Sequence, residues 1–340
     1  MAFNNIQFKK PFYPIKTHLR QHLKRFSRQA ELSFTYEDLT RYNDLLPILD
    51  TDGQETLWYS VMYNPEENKT IRNELLKGYQ LLLGSGHITR HLRVESIQYC
   101  SFGNSKPFRI KVVNEINDNH DYYYVKRADA SRIYGLELEE IFSPDKVSFL
   151  VSGNTLIEEH IVGIPCDEFI KKNKGIKIEN RLRFAKEFVK FNERCFTRLL
   201  GDMRAYNFVV EITQDFDTVQ YRIRAIDFDQ QSYEGRKSIY LPQYFKDNVA
   251  LVDLATEMLS LDVAEQYTRE EHDAMRKRYS ANHVRFRSLI SRMRKDRIST
   301  RENVETLKRE LGKHHKDPSF ELLTNMADIL VKHLEHQLAK

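Results

Sequence analysis

The sequence has few cysteines and no long apolar run, and both absences narrow the kinds of protein it can be. Its three cysteines, Cys100, Cys166 and Cys195, lie far apart and none belongs to a CxxC pair, so neither a disulfide framework nor a zinc site is indicated. The longest apolar runs, such as VSFLV at 147–151, are too short to cross a bilayer, and no apolar segment follows the charges of MAFNNIQFKK. We therefore expect a soluble protein of the cytoplasm without a transmembrane segment.

A large excess of charge is also absent. The formal net charge is +4 over 340 residues, so the charge of the whole molecule says little about its partners. Basic residues concentrate in two stretches, 9–28 and 276–297, each with an apolar stripe at helical spacing. Two interpretations stay open: helices docked by one face with a solvated basic face, or helices that bind an anionic partner such as a phosphate-rich molecule or a membrane surface.

The periodicity along the chain predicts an α+β protein. Residues 1–92 are predicted as a mostly helical extension, with the clearest helix signal in NKTIRNELLKGYQLLLGSG. From 93 to 128 three antiparallel strands are predicted, separated by GNSK and NDN turns. A helix at 131–142 and two more strands follow, and after about residue 165 helices alternate with one short strand pair.

The strongest chemical signal is the segment LLGDMRAYNFVVEI at 199–212. It places Asp202 and Asn207 in a short loop before an apolar strand, and Asp227 follows another apolar strand twenty residues beyond Asn207. Phosphoryl transfer from ATP requires a carboxylate near the attacking hydroxyl, together with an amide oxygen and a second carboxylate to hold magnesium. The spacing supplies all three, although Asp and Asn also occur at such positions as turn and cap formers.

In this segment the chain resembles the protein-kinase superfamily, including its aminoglycoside and choline phosphotransferase relatives. GDMRAYN resembles the D-x-x-x-x-N catalytic loop, and IDFD resembles the metal-binding segment in the form that small-molecule kinases carry. The resemblance covers roughly residues 93–262 and implies a bilobal kinase-like fold. We predict an antiparallel β N-lobe at 93–160 and a helical C-lobe with a C-terminal helical extension at 161–340. The resemblance implies Asp202 as the catalytic base, Asn207 and Asp227 as magnesium ligands, and Arg204 as the group that stabilises charge on the γ-phosphate.

Upstream residues extend the resemblance to the ATP site. YYYVKRA is similar to the strand that carries the ATP-contacting lysine, which makes Lys126 the candidate for the α- and β-phosphates. In the helix that follows, Glu137 or Glu140 would form the ion pair with that lysine. TLIEEHIVG resembles the inter-lobe hinge, with Glu159, His160 and Ile161 beside adenine. The loop SFGNSKPF, which would cover the phosphates, offers only Gly103.

Several positions depart from the family pattern. Leu200 replaces the usual histidine before the catalytic aspartate, and Asp229 replaces the last glycine of DFG. The segment between Asp229 and the expected central helix is short and has no APE-like motif. Asp253 of that helix is the candidate that braces the catalytic loop, and a solvated residue on the helix face is the alternative. We therefore predict a Mg-ATP-dependent phosphotransferase whose acceptor is a hydroxyl, on a small molecule in preference to a protein. The alternatives are a non-catalytic kinase-like module that binds nucleotide or a partner, and a kinase-like AMP transferase.

Overall fold

The computed structural model describes residues 10–84, 91–102, 105–172, 180–215 and 218–339. The chain divides into two compact units. Unit 1 takes the residues up to Asp129 together with Val147–His160, and unit 2 takes Ala130–Lys146 together with the residues from Ile161 onward. Over the described ranges, none of the helices combines the length and the apolar character needed to cross a membrane.

Unit 1 is built around an antiparallel sheet in the order β1-β2-β3-β4-β5-β7-β6 among the described residues. Its strands are β1 (Asp44–Leu49), β2 (Glu55–Met62), β3 (Leu92–Cys100), β4 (Phe108–Asn114), β5 (His120–Arg127), β6 (Phe149–Ser152) and β7 (Thr155–Glu159). Alternation explains which face is buried: Phe108, Ile110 and Val112 of β4 are buried, and so are Tyr123 and Val125 of β5. The five strands from β3 to β7 are those that the sequence predicts.

Three helices of unit 1 precede or cover this sheet. They are α1 (Thr17–Arg25), α2 (Tyr36–Leu39) and α3 (Pro65–Leu82). Leu75, Tyr79 and Leu82 of α3 are buried at helical spacing and join the same apolar core as the sheet. The phenol of Tyr123 donates to the carbonyl of Leu75 at 2.7 Å, which fixes α3 on the buried face of the sheet.

The mostly helical extension predicted for residues 1–92 is wrong between 44 and 62. There β1 and β2 form a hairpin, and β2 pairs with β3 so that the hairpin continues the sheet. Pro47 and the exposed leucines of β1 obscure the alternation that would mark a strand. The available signal was the TDG turn, in which Gly53 adopts a φ of 74° and Asp50 N donates to Gln54 O at 2.9 Å.

Unit 2 is mainly helical, as predicted. In chain order it contains α4 (Ala130–Phe142), β8 (Ile164–Pro165), α5 (Cys166–Lys172), α6 (Arg181–Thr197), β9 (Phe208–Asp215), β10 (Thr218–Ala225), α7 (Val249–Met258), α8 (Leu261–Ala281), α9 (His283–Met293), α10 (Arg301–His315) and α11 (Met326–Leu338). The strand pair β9–β10 is antiparallel and β8 pairs with β9. An antiparallel sheet in one unit and helices in the other confirm the α+β class.

Helix α4 is buried at every one of its positions. Gly135 has no room for a side chain, since an added Cβ would lie 2.9 Å from the Cβ of Phe228. The ring of Phe142 lies against Tyr279 and Phe286 of α8 and α9, with centroids 6.1 and 5.8 Å away. The sequence analysis placed this helix within the 93–160 lobe, whereas its contacts group it with unit 2.

Candidate active site

The segment between α6 and β9 carries Asp202 and has an unusual backbone. Leu199 and Asp202 adopt positive φ angles of 55° and 59°, a left-handed conformation that costs a non-glycine residue roughly 1–2 kcal/mol. Two hydrogen bonds hold it, from Gly201 N to Gln230 O at 3.3 Å and from Asp202 N to Ile239 O at 3.1 Å. Strain of this kind is common where a side chain must be held in one direction for function.

Asn207 lies directly before β9 and beside the end of β10. Phe208, the first residue of β9, pairs with Ala225, the last of β10, and Ile226 N donates to Asn207 O at 3.0 Å. The side-chain nitrogen of Asn207 donates to the carbonyl of Asp202 at 2.7 Å. Because the amide nitrogen is directed at Asp202, the amide oxygen points away from that bond and is the atom that a ligand would meet.

Asp227 follows Ile226 at the end of β10 and is held by Arg132 of α4. Its Oδ1 accepts from Asp229 N at 3.0 Å and from Arg132 Nη1 at 3.2 Å. The same Nη1 lies 3.1 Å from Asp229 Oδ1, and Nη2 donates to Ile226 O at 3.3 Å. The guanidinium is 2% exposed and the Asp227 side chain 34% exposed, so the Asp227 carboxylate stays accessible. Asn207 and Asp227 thus lie beside the paired ends of β9 and β10, and Asn207 is bonded to Asp202.

Arg204 contacts the predicted base. Its Nε lies 3.1 Å from Asp202 Oδ1 and its Nη1 3.1 Å from Asp247 Oδ2, while the guanidinium lies over the ring of Phe245 at 5.0 Å. Partial burial opposes the charge of Arg204, but the hydrogen bond and negative charge of Asp202 outweigh it and raise the pKa of Arg204. Asp202 is therefore a buried carboxylate with a cation directly beside it.

The loop that carries Asp202 is braced by Asn248 and not by Asp253. Asn248 is fully buried, and its Nδ2 donates to Met203 O at 2.9 Å and to Pro242 O at 2.8 Å. Asp253 lies on the exposed side of α7, which agrees with the alternative that it is a solvated residue of that helix.

The kinase resemblance implies a histidine at the position where this chain has Leu200. In the structure, the backbone of Leu200 connects the loop that carries Asp202 to the segment after Asp229. Leu200 forms an isolated antiparallel bridge with Gln231. The buried side chain of Gln231 donates from Nε2 to Arg198 O at 2.6 Å and to Leu199 O at 3.2 Å. Backbone pairing and one glutamine thus join the loop to the segment after Asp229, with leucine in place of histidine at position 200.

Lys126 lies on β5 in unit 1, where its ammonium contacts the carboxylate of Glu158 on β7. Both side chains are buried, and the ammonium also lies 5.1 Å from the ring centroid of Tyr124. The register pairs Tyr124 with Glu158 and Lys126 with Leu156, so the ion pair runs diagonally across two neighbouring strands. Glu158 was missed because the acidic pair in TLIEEH was interpreted as hinge.

Glu137 and Glu140, the partners that the sequence analysis proposed for Lys126, belong to unit 2. Glu137 is fully buried and accepts two hydrogen bonds of 2.7 Å from Arg285 of α9. Glu140 lies 2.8 Å from Lys146 Nζ and 3.5 Å from Arg285 Nη1. Within unit 2 these glutamates therefore join α4 to the C-terminal helices.

The residues predicted at the hinge divide between the two units. Glu159 N donates to Ser148 O at 2.9 Å and His160 N to Tyr122 O at 3.2 Å, while His160 Nδ1 lies 3.1 Å from the Tyr124 hydroxyl. Burial, with the nearby charge of Arg109 second, lowers the pKa of His160. Ile161 is a buried residue of unit 2, and Gly103 lies outside the described residues.

Several cations of the two basic stretches form bonds within the protein. In the first, Lys10 forms a buried ion pair with Asp129 at 2.8 Å, and Arg20 donates to Gly153 O at 2.6 Å. In the second, four arginines contact acidic side chains or backbone carbonyls, namely Arg276, Arg278, Arg285 and Arg294. Both interpretations assumed a basic face turned to solvent or to an anionic partner, and these contacts engage part of that face within the protein.

The donor set fits magnesium by its chemistry. The amide oxygen of Asn207 and the accessible carboxylate of Asp227 are hard oxygen donors, and Mg²⁺ typically takes only one or two carboxylates and completes its shell with water and phosphate. In the described ranges, no group of three or more His, Cys, Asp and Glu side chains is arranged to hold a metal ion. The residues therefore suit a cation that arrives with other ligands.

The sequence matches no protein-family model and no curated protein. Among solved structures, the chain is similar to the crystal structure of the Rad53 kinase domain and SCD2 in complex with AMPPNP, with 14% sequence identity over 66% of this chain and 94% of that chain. The TM-score is 0.27, so the α+β assignment depends on the strands and helices described above and not on this likeness.

Proposed function

We propose that the chain is an ATP-dependent phosphotransferase with a kinase-like arrangement, acting on a hydroxyl acceptor. The observation that carries the proposal is the hydrogen bond from Asn207 to the carbonyl of Asp202, at a point where Asn207 also accepts from the residue before Asp227. One loop and one strand end thereby offer a base, an amide oxygen and an accessible carboxylate together. These are the three groups that phosphoryl transfer uses.

In the proposed reaction the acceptor oxygen forms a bond to the γ-phosphorus of ATP while the bond to the β,γ-bridging oxygen breaks. Asp202 accepts the hydroxyl proton, and the products are ADP and a phosphate ester. Magnesium, when bound, neutralises charge on the phosphates, and Asn207 and Asp227 are the residues that would hold it. Arg204, already 3.1 Å from Asp202, would orient this carboxylate and meet the negative charge of the transferred group.

Lys126 is the proposed ligand of the α- and β-phosphates. Its buried ammonium has a carboxylate partner in Glu158, and Glu158 would keep the lysine charged and directed before nucleotide arrives. Glu159, His160 and Ile161 remain the proposed adenine contacts. Since Glu159 N and His160 N already donate within the sheet, the N–H of Ile161 and the carbonyls of this segment are the groups we assign to adenine.

A small hydroxylated acceptor suits the segment after Asp229 better than a docked peptide. Asn303 Nδ2 donates to Tyr233 O at 2.8 Å, and Lys237 N donates to Glu310 Oε2 at 2.6 Å. These bonds fix the segment against α10, so it is not an open edge to which an extended peptide could add.

Nucleotide binding and turnover test the proposal separately. We expect ADP with MgCl₂ to raise the melting temperature of the wild-type protein, and we expect slow Mg-dependent release of phosphate from ATP that Asp202→Asn abolishes without lowering the ADP effect. Equal phosphate release by wild type and Asp202→Asn would overturn the assignment of the base. The control is Asp253→Asn, an exposed aspartate of the same unit, which should behave as wild type.

A non-catalytic nucleotide-binding module is the second candidate. It is favoured by one specific observation: Arg204 occupies Asp202 Oδ1 at 3.1 Å, where it would compete with an acceptor hydroxyl. This candidate predicts stabilisation by ADP with no phosphate release, and no change on Arg204→Ala. Under the phosphotransferase proposal Arg204→Ala lowers phosphate release.

A further inference from the structure

Arg132 occupies the place between two carboxylates of the candidate site. Its Nη1 lies 3.2 Å from Asp227 Oδ1 and 3.1 Å from Asp229 Oδ1, and the three side chains come from two segments nearly one hundred residues apart in sequence. A divalent cation that bridged these carboxylates would need the same position. Without the guanidinium, the two negative charges would lose the cation that they share, which is unfavourable where water is scarce.

The guanidinium is also fixed in place. Arg132 is 2% exposed, its second nitrogen donates to Ile226 O at 3.3 Å, and its ring-face contact with Phe228 has a distance of 5.7 Å. The helix that carries it packs closely on the segment of Asp227 and Asp229, since a Cβ added at Gly135 would lie 2.9 Å from the Cβ of Phe228. Burial, the bond to Ile226 O and this close packing hold Arg132 beside the two carboxylates.

We propose that Arg132 is a positioning residue that serves as an internal counter-ion for Asp227 and Asp229, so that the protein alone binds a divalent cation weakly and takes it up together with nucleotide. The counter-ion role depends only on the geometry above, whereas the coupling to nucleotide rests on the proposed function. The two carboxylates and one guanidinium sum to a single negative charge. A cation consequently gains most of its binding energy from the phosphates that accompany it.

The proposal predicts an unusual result for the removal of Arg132. Arg132→Met leaves both carboxylates without their cation, so the apo protein should lose stability but gain affinity for Mn²⁺ by roughly tenfold or more. A role in packing alone predicts lower stability with no gain in Mn²⁺ binding. Arg132→Lys retains the charge and should bind Mn²⁺ alone as weakly as wild type.

The experiment measures Mn²⁺ binding by electron paramagnetic resonance of the unbound ion, and melting temperature, each with and without ADP. Expected are weak Mn²⁺ binding by wild type alone, stronger binding with ADP, and strong binding by Arg132→Met alone that is lost in Arg132→Met/Asp229→Asn. If Arg132→Met does not fold, Arg132→Gln carries the same prediction. The matched control is Arg278→Met, which removes a partly buried ion pair with Glu271 and should not gain Mn²⁺ binding.

The possible outcomes distinguish the counter-ion role of Arg132 from the proposed nucleotide function. If Arg132→Met or Arg132→Gln binds Mn²⁺ no better than wild type, or if Arg132→Lys behaves like the methionine variant, the counter-ion proposal is overturned. If the variant gains Mn²⁺ binding but ADP never strengthens Mn²⁺ binding by wild type, the counter-ion stands and the proposed nucleotide function fails. Tight Mn²⁺ binding by wild type without ADP overturns the inferred coupling.

Discussion

The side chain of Asn207 donates a 2.7 Å hydrogen bond to the backbone carbonyl of Asp202, and this bond sets which atom of the amide is presented to a ligand. We expect Asn207→Ala to lose about 1–3 kcal/mol of unfolding free energy, because a buried carbonyl loses its donor. We also expect it to lose the part of ADP stabilisation that depends on MgCl₂. Chemical denaturation and thermal shifts with ADP, with and without magnesium, measure the two effects.

Asn192→Ala is the matched control for that variant. Its Nδ2 donates to Phe188 O at 2.7 Å from a buried position, so it should lose comparable stability and keep the magnesium effect. An unchanged magnesium effect in Asn207→Ala would count against Asn207 as a cation ligand.

Asn248→Ala tests which side chain braces the catalytic loop. Two carbonyls, of Met203 and Pro242, would lose their donor, and we expect the unfolding free energy to fall by roughly 2–4 kcal/mol. Asp253→Ala, on the exposed side of the following helix, should change it by less than about 0.5 kcal/mol. Urea denaturation of the two variants measures both changes in unfolding free energy. A larger loss of stability in Asp253→Ala than in Asn248→Ala would show that Asp253 braces the loop.

Glu137 and Arg285 form a bidentate ion pair with both bonds at 2.7 Å. Arg285→Met removes both of these bonds from a fully buried carboxylate and should cost about 3–5 kcal/mol. Arg285→Met/Glu137→Gln should recover a large part of that loss, because the buried charge is removed as well. A double variant no more stable than Arg285→Met would show that packing, and not the charge, accounts for the cost.

Lys126→Met should lower the affinity for ADP by about tenfold, since the proposed phosphate ligand is removed. Glu158→Gln should destabilise the protein without nucleotide, because the buried ammonium loses its carboxylate, and should enlarge the stabilisation by ADP. Lys111→Met, which removes a partly exposed lysine paired with Glu95 on the same sheet, is the control and should leave ADP affinity unchanged.

We expect the buried His333 to make the protein less stable in mild acid. It is fully buried between His315 Nε2 at 2.8 Å and Phe196 O at 3.0 Å; burial, followed by the charge of neighbouring His315, lowers its pKa well below 6.5. The unfolded chain therefore binds a proton below about pH 6.5 that the folded protein resists, and the unfolding free energy should fall by up to roughly 1.4 kcal/mol per pH unit from this residue. Above that pH the contribution is constant.

Denaturation at pH 7.5, 6.5 and 5.5 measures the slope, and His333→Gln should flatten it. His283→Gln, an exposed histidine, should keep the wild-type slope. If His333→Gln retains the full slope, the acid sensitivity arises elsewhere.

Local pattern predicted much of the fold. The alternation in FRIKVVN and the 3.6-residue spacing of phenylalanines in α6 indicate which residues are buried. Strands β3 to β7 and the helices of unit 2 can therefore be predicted from short stretches of sequence. The loop spacing of Asp202 and Asn207 likewise sits within six residues. By contrast Arg132 meets partners 95 and 97 positions away, and no local period encodes such a pairing.

The contacts that the sequence analysis did not name have the same physical origin. Lys126 and Glu158 are 32 positions apart and become neighbours only through the register of β5 and β7. Asn248 and Asp253 are both short polar residues near one helix start, and only the turn before α7 decides which side chain is buried. Sequence reasoning could name the polar candidates but not which one the packing selects.

The membership of α4 in unit 2 also determines how the protein could be divided. A fragment that begins at Ile161 would contain almost all of unit 2 in sequence, yet it would lack the helix that supplies Glu139 to the buried Arg198 and Glu137 to Arg285. Two arginines would lose their carboxylates, and the ring of Phe286 would lose Phe142. Boundaries for expression therefore cannot follow the order of the chain: a soluble C-terminal fragment would have to start upstream of Ala130 and include β6 and β7, which belong to the other unit.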